Sequence, residues 1–175
     1  MAYSLPEGSI QQFTNPFVAA KQVKVFDKPS LADAQATLAV PQYVADAGLK
    51  TFADIARFKD KLGGKIYGIE PGSGANTDIQ KMIDTNHFGL GGFKLVASGE
   101  AGMLAAVQRA VNRKEFVVFV GWTPHPMNIN MKMAYLTGSE DVFGPDEGRA
   151  TVSTVTAPDL AERCPNANRL LENLI

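Results

Sequence analysis

Residues 117–128, VVFVGWTPHPMN, contain a short apolar run followed by a stiff turn with two prolines. An apolar run rich in β-branched and aromatic residues is typical of a buried strand, and Gly121 is expected to end that strand. Proline fixes the backbone and lacks an N–H donor, so neither a strand nor a helix should continue through the turn. The single tryptophan, Trp122, therefore stands where the chain leaves the core, close to His125, one of two histidines.

Strand and helix patterns alternate on both sides of this stretch. Helical spacing of apolar residues predicts helices from Thr51 to about Leu62, after the Gly-rich turn at 70–76, and from Glu100 to Lys114. A strand and one or two short helices are predicted for the tail. Further short apolar runs predict strands at 22–26, 37–40, 65–69 and 93–97. This alternation favours an α/β fold with a mainly parallel sheet.

In such a sheet, ligands bind beyond the carboxyl ends of the strands. Three features of the sequence follow strand ends, and we expect them to share one edge: Tyr43, the turn at 70–76, and the segment from Trp122 to Asn128. An aromatic ring in such a place either covers the core or contacts a ligand. Two rings facing one cleft form half of a cage for a quaternary ammonium group.

Composition excludes several partners. The net charge is −1, from 17 basic and 18 acidic residues, so we expect neither nucleic acid nor anionic lipid as a partner. The length of 175 residues fits one domain or two small lobes. The start of the chain lacks a signal-peptide pattern, which predicts a cytoplasmic location if that start is natural. The single cysteine, Cys164, excludes an intramolecular disulfide.

The turn in GIEPGSGAN, residues 68–76, has two interpretations. It is not a P-loop, and it lacks the third glycine of a dinucleotide fingerprint. It can be a tight turn between strand and helix, capped by Ser73 or Asn76. It can also contact a small ligand through Gly72, Ser73 and Asn76, because a helix N-terminus presents N–H donors.

Nothing in the sequence indicates catalysis. No serine or cysteine has a histidine and a carboxylate in a catalytic pattern, and no metal-binding pair of histidines is present, so we expect neither an enzyme, a metal nor a cofactor. Glu70 and Asp78 are interpreted as helix caps. His87 is interpreted as structural. His125 either donates to a ligand carboxylate or ties its turn to a backbone carbonyl.

Three stretches resemble the substrate-binding proteins of ABC importers for choline and glycine betaine. The most specific parts of the resemblance are the motifs Gly-Trp-x-Pro-His and Ile-Glu-Pro-Gly. The resemblance runs from about Val23 to Ile175. The stretches are residues 37–72, 94–128 and 135–174. The resemblance implies a type II periplasmic binding protein, located in the periplasm or cell envelope, whose α/β lobes are three-layer assemblies of sheet and helices.

In that family two lobes close on a trimethylammonium group inside an aromatic box, and a permease receives the ligand. The resemblance makes Trp122 and Tyr43 box residues and places the turn from Gly72 to Asn76 near the polar end of the ligand. Ser73 and Gly74 stand where choline-binding relatives carry an amide and a carboxylate, which puts a preference for choline in doubt.

Family members are nearly twice as long as this chain. The resemblance therefore implies that the first half of lobe one is missing. Residues 37–148 would form the ligand-binding lobe, with 1–36 and 149–175 as parts of lobe one. It further implies weak ligand binding, a free thiol at Cys164, and a possible homodimer that covers apolar surface. Two alternatives are an oligomeric α/β module without a ligand and a nucleotide-binding enzyme using the turn at 72–76.

Overall fold

The computed structural model describes residues 11–173. Helices and strands alternate, as predicted, and 3-10 helices span Phe52–Phe58 and His87–Gly89. The strands are β1 (Lys24–Val25), β2 (Leu31–Pro41), β3 (Lys65–Tyr67), β4 (Lys94–Val96), β5 (Phe119–Thr123), β6 (Met133–Tyr135), β7 (Arg149–Val152) and β8 (Val155–Thr156). The α-helices are α1 (Gln11–Ala19), α2 (Gln42–Asp46), α3 (Gly74–Asp84), α4 (Glu100–Arg113), α5 (Met127–Asn130), α6 (Glu140–Phe143), α7 (Pro145–Gly148), α8 (Leu160–Arg163) and α9 (Pro165–Glu172).

The main sheet has six strands in the order β4-β3-β5-β2-β6, with β7 also paired to β2. Strand β3 is parallel to β4 and β5, but β2 is antiparallel to β5, β6 and β7. The prediction of a mainly parallel sheet is therefore wrong. Strands buried on both faces read as continuous apolar runs whatever their direction, so hydropathy could not reveal that β2 is reversed.

Strand β2 is longer than predicted, since it begins at Leu31 and continues through Pro41. Its second half is buried, while its first half pairs with β7, with Gln35 opposite Arg149. The strand crosses the proposed boundary between residues 36 and 37, and that division of the chain stays a prediction. Near it, β1 and β8 form a separate two-stranded sheet.

Helix α4 confirms the clearest prediction, because its buried face carries Met103, Val107 and Ala110 at helical spacing. Lys114 follows it in the left-handed conformation, with φ of 57°. The helix predicted after Thr51 is a 3-10 helix and ends at Phe58. Its start has the expected capping pattern, since the Asp54 carboxylate accepts the Thr51 N–H at 2.9 Å.

The core lies on both faces of the sheet, which gives the three-layer arrangement. Neighbouring residues of a strand point to opposite faces, so Leu38 and Ala39 belong to different clusters. One cluster joins the sheet to α3 and the first 3-10 helix, through Ile79 and Phe52. The other joins it to α4, where Phe119 packs with Met103.

No helix among residues 11–173 is long and apolar enough to cross a membrane. The leader pattern considered for the start of the chain, and the outer ends of the proposed segments 1–36 and 149–175, lie outside the described residues.

Candidate functional site

Trp122 lies inside β5 and not after it. The expectation that Gly121 ends the strand is wrong, because Gly121 pairs with Thr37 and the strand continues to Thr123. A Cβ at Gly121 would lie 2.9 Å from the Ala39 Cβ and 3.0 Å from Cε1 of Tyr135. Glycine is therefore needed because neighbouring side chains pack directly on the backbone at this position.

The turn after β5 is held by Asn128. Its Nδ2 donates to the carbonyl of Trp122 at 2.8 Å and to that of His125 at 3.0 Å. Its Oδ1 accepts the hydroxyl of Tyr135 at 2.7 Å, and burial raises the pKa of that hydroxyl to about 12. The turn also contains a cis peptide between Thr123 and Pro124. Sequence reasoning named Asn128 only as the end of the segment from Trp122, and it missed Tyr135 and the hydrogen bond between them, since no short motif links the two.

The ring of His125 lies beside that of Trp122. The ring centroids are 4.7 Å apart, with 56° between the planes. Nδ1 of His125 accepts the N–H of Met127 at 3.1 Å, and Nε2 lies 3.1 Å from Oε1 of Glu100. The predicted tie to a backbone carbonyl is wrong, because the ring instead accepts a backbone N–H and meets a carboxylate.

Glu70 and Glu100 connect this turn to the neighbouring strand β3. Oε1 of Glu70 accepts the N–H of Glu100 at 2.9 Å, so Glu70 caps α4. This hydrogen bond, together with one from the N–H of Glu70 itself, holds the pKa of the Glu70 carboxyl below its usual value. Because β3 and β5 are parallel, the turn at 70–76 and Trp122 lie at the same edge of the sheet.

The Gly-rich turn is a capped turn, as one of the two interpretations predicts. Ser73 Oγ accepts the N–H of Asn76 at 3.3 Å. Nδ2 of Asn76 donates to the carbonyls of Ile69 and Glu70, each at 3.0 Å, and its Oδ1 accepts the N–H of Ile69. Gly72 has a φ of +84°, where glycine is favoured. Ligand contact by this turn stays a prediction.

The interpretation of Asp78 as a helix cap is wrong, whereas the contacts of His87 fit the structural role expected of it. Asp78 lies within α3, whose N-cap is Ser73, and burial raises the pKa of Asp78 despite the opposing effect of Lys81. His87 begins a 3-10 helix, with Nε2 2.7 Å from Oδ2 of Asp141.

Tyr43 does not share the edge with Trp122, so that expectation is wrong. The antiparallel register pairs Ala39 with Phe119, which brings the end of β2 to the start of β5. Tyr43 therefore lies at the opposite end of the sheet, where its hydroxyl donates to the carbonyl of Glu115 at 2.6 Å. Burial, followed by the charge of Glu115, raises the pKa of Tyr43.

Within residues 11–173, no group of three or more His, Cys, Asp or Glu side chains is arranged to hold a metal ion.

An open groove of about 640 Å³ adjoins the Gly-rich turn, between α3 and the end of β4. The site that the structure assembles is a partly buried tryptophan beside His125, which contacts Glu100, with Glu70 bound to the backbone of Glu100 and a tight turn at the same edge.

Comparison with solved structures defines the class of protein. The chain superimposes on a choline-binding protein of an ABC transporter, solved with choline, with a TM-score of 0.86 and 45% identity, over 96% of this chain and 58% of that one. Lactococcal OpuAC, solved closed with glycine betaine, matches with a TM-score of 0.82 at 22% identity, over 99% of this chain and 63% of that one. The fold is that of a type II periplasmic binding protein.

Residues 4–175 match the substrate binding domain of ABC-type glycine betaine transport systems, and the chain belongs to that family. The glycine betaine/carnitine transport binding protein GbuC of Listeria monocytogenes is 29% identical over 114 residues, which are 65% of this chain and 37% of GbuC. The family consists of transport binding domains and not of enzymes. The chain spans less than two thirds of the length of these relatives.

Proposed function

We propose that this chain binds a quaternary ammonium osmolyte, glycine betaine or choline, without covalent chemistry and against the ring of Trp122. The supporting observation is the placement of that ring. Trp122 is only partly buried at the end of β5, yet it packs against both core clusters and against His125. A tryptophan face attracts a cation by about 0.5–1 kcal/mol when exposed and about 2 kcal/mol when desolvated.

The electrostatics of the edge support a positively charged ligand. Glu100 contacts His125, the neighbour of the Trp122 ring, and Glu70 contacts the backbone of Glu100, so two carboxylates lie at this edge of the sheet. Their negative potential adds to the attraction of the ring face for an ammonium group.

The Gly-rich turn takes the polar end of the ligand in this proposal. The donors and the acceptor of the Asn76 amide already bind the backbone of Ile69 and Glu70, so Asn76 shapes the turn. The hydroxyl of Ser73, which accepts from Asn76, can still donate its proton to a ligand. Exposed Gly72 leaves its backbone open to close approach. Tyr43 is not part of this revised site because it lies at the other end of the sheet.

In transport, the proposed role is that of a binding protein which closes on the ligand and delivers it to an ABC permease at the cell envelope. Family membership supports this role. GbuC and the choline-binding protein are, as their names state, binding proteins for glycine betaine or carnitine and for choline.

The experiment compares removal of one ring at each end of the sheet. Titration calorimetry with glycine betaine and with choline would measure the affinity of the unmodified chain, Trp122→Ala and the matched control Tyr43→Ala. We expect Trp122→Ala to weaken binding more than tenfold, which is about 1.4 kcal/mol, and Tyr43→Ala to leave it unchanged. Equal affinities for Trp122→Ala and the unmodified chain would exclude the proposal.

We also propose self-association as a second candidate, in the form of a homodimer that covers exposed apolar side chains. Phe17 is 52% exposed and Leu170 is 65% exposed, and Val18 and Val25 are exposed as well. A second copy could bury such side chains. Light scattering over a concentration series would show a dimer mass if this is right and a monomer mass at every concentration if it is not.

A further inference from the structure

The imidazole of His125 has both ring nitrogens engaged. Nδ1 accepts the N–H of Met127, so in the neutral ring the proton must be on Nε2. Nε2 in turn lies 3.1 Å from a carboxylate oxygen of Glu100, to which it donates. The one N–H that this ring offers is therefore held by Glu100.

This hydrogen bonding affects which ligand end, a hydroxyl or a carboxylate, the site can accept. Choline and glycine betaine share the trimethylammonium group, but choline ends in a neutral hydroxyl and glycine betaine in a carboxylate. A carboxylate near Trp122 needs an N–H donor, and the histidine beside the ring is the obvious one. In this chain the donor is already bound to a carboxylate that would also repel the anionic ligand end.

We propose that Glu100 determines specificity, keeping the His125 Nε2 proton from an anionic ligand end and thereby favouring choline over glycine betaine. This inference rests on the proposed function. Ser73 and Gly74 argue against a preference for choline, whereas Glu100, in a different part of the edge, argues for one.

The surroundings make the contact well defined. The side chain of His125 is only 14% exposed, so its ring has little freedom, whereas the side chain of Glu100 is 50% exposed. The backbone of Glu100 is fixed because its N–H donates to Glu70 at 2.9 Å. A substitution of the Glu100 side chain removes the contact with His125 without removing this backbone hydrogen bond.

Two substitutions separate the charge of Glu100 from its hydrogen bond. Glu100→Gln keeps an oxygen that accepts from Nε2 but removes the charge, and Glu100→Ala removes both and frees the proton. Glu115→Gln is the matched control, since Glu115 is exposed and lies just beyond the other end of α4. The fluorescence of the single tryptophan, Trp122, would report binding of choline and of glycine betaine to each full chain.

We expect Glu100→Ala to shift the ratio of the two dissociation constants by about fivefold or more toward glycine betaine. Glu100→Gln should weaken choline binding by less than about fivefold and should hardly strengthen glycine betaine binding. Glu115→Gln should leave the ratio of the two dissociation constants unchanged. Adding His125→Phe to Glu100→Ala should abolish the gain for glycine betaine, because the donor is then absent. Melting temperatures would confirm that each variant is folded.

Two results would overturn the inference, and they differ in meaning. If Glu100→Ala binds both ligands with the same ratio as the unmodified chain, Glu100 does not set specificity, while the proposed function stands. If the unmodified chain binds neither ligand, the proposed function fails and this inference fails with it.

Discussion

Both ends of the sheet carry aromatic side chains, but the neighbours of the rings differ: a histidine held by a carboxylate at one end and lysines at the other. At one end Trp122 lies beside His125, which is bound to Glu100. At the other, Phe58 and Phe116 stack with centroids 5.8 Å apart, near Tyr43. There, lysines already lie over the rings.

The lysines at that second end occupy the place a ligand cation would take. Nζ of Lys61 lies 4.9 Å from the centroid of Phe116, and Nζ of Lys114 lies 4.9 Å from that of Tyr43. An ammonium ligand would have to displace a lysine and approach others of like charge. An exposed ring is thus not enough to define a cation site, because the charge of its neighbours decides whether the ring face is available.

The largest effect on stability is expected from glycine substitutions that compare the two ends. Gly121→Ala places a Cβ 2.9 Å from that of Ala39 and should cost about 1–3 kcal/mol by overpacking. Gly63→Ala, at the lysine-containing end, has no atom within 4 Å but a φ of +59°, and should cost roughly 1 kcal/mol from backbone strain. Urea denaturation would measure both.

Ligand affinity gives a second comparison of the two glycine variants. Gly121→Ala should also weaken binding, since the strand that carries Trp122 must shift, whereas Gly63→Ala should not. Unchanged affinity in Gly121→Ala, or a loss of binding only in Gly63→Ala, would mean that the close packing at Gly121 does not position the tryptophan.

The sequence predicted the order of helices and strands because their signals are local. The apolar stripe of α4 and the apolar run of β5 can each be recognised from a few neighbouring residues. The direction of β2 is not local, because it depends on which strands it pairs with. The misplacement of Tyr43 follows directly from that one error.

The parts of the site that depend on neighbouring residues were predicted, and the contacts between distant residues were not. The position of Trp122 at the edge and the capping role of Ser73 could be inferred from neighbouring residues. The contact between His125 and Glu100 joins residues 25 positions apart, and the bond between Asn128 and Tyr135 depends on how the Tyr135 side chain packs over Gly121. Such contacts require the fold to be known first.

A smaller effect is expected from removing one hydroxyl at each end. Tyr135→Phe leaves Oδ1 of half-buried Asn128 without the hydroxyl it accepts and should cost about 1–2 kcal/mol. Tyr43→Phe removes an exposed hydrogen bond to the carbonyl of Glu115, which water can replace, and should cost less than about 0.5 kcal/mol. Thermal unfolding would rank the two variants, and equal losses would contradict the greater burial assigned to the Tyr135 contact.

The smallest effect concerns two carboxylates that cap helices, Glu70 at the start of α4 and Asp54 at the start of the first 3-10 helix. The pKa of Glu70 is lowered in the folded chain, so its contribution to stability is present above the ordinary carboxyl pKa and is lost as the pH falls through the lowered value. Glu70→Gln should therefore cost about 0.5 kcal/mol at neutral pH, and the difference should vanish once the pH has fallen below the lowered pKa.

Asp54→Asn is the matched variant, at the start of the first 3-10 helix. Partial burial raises the pKa of Asp54, but hydrogen bonds from Thr51 and Lys50 more than offset this and lower it overall, so its pH dependence should have the same sign. The two variants should differ in ligand binding, because only Glu70 lies near Trp122. Chemical denaturation and choline titration across the acid range would test both points. If Asp54→Asn weakened choline binding as much as Glu70→Gln, the negative potential at the Trp122 edge would not be what attracts the ligand.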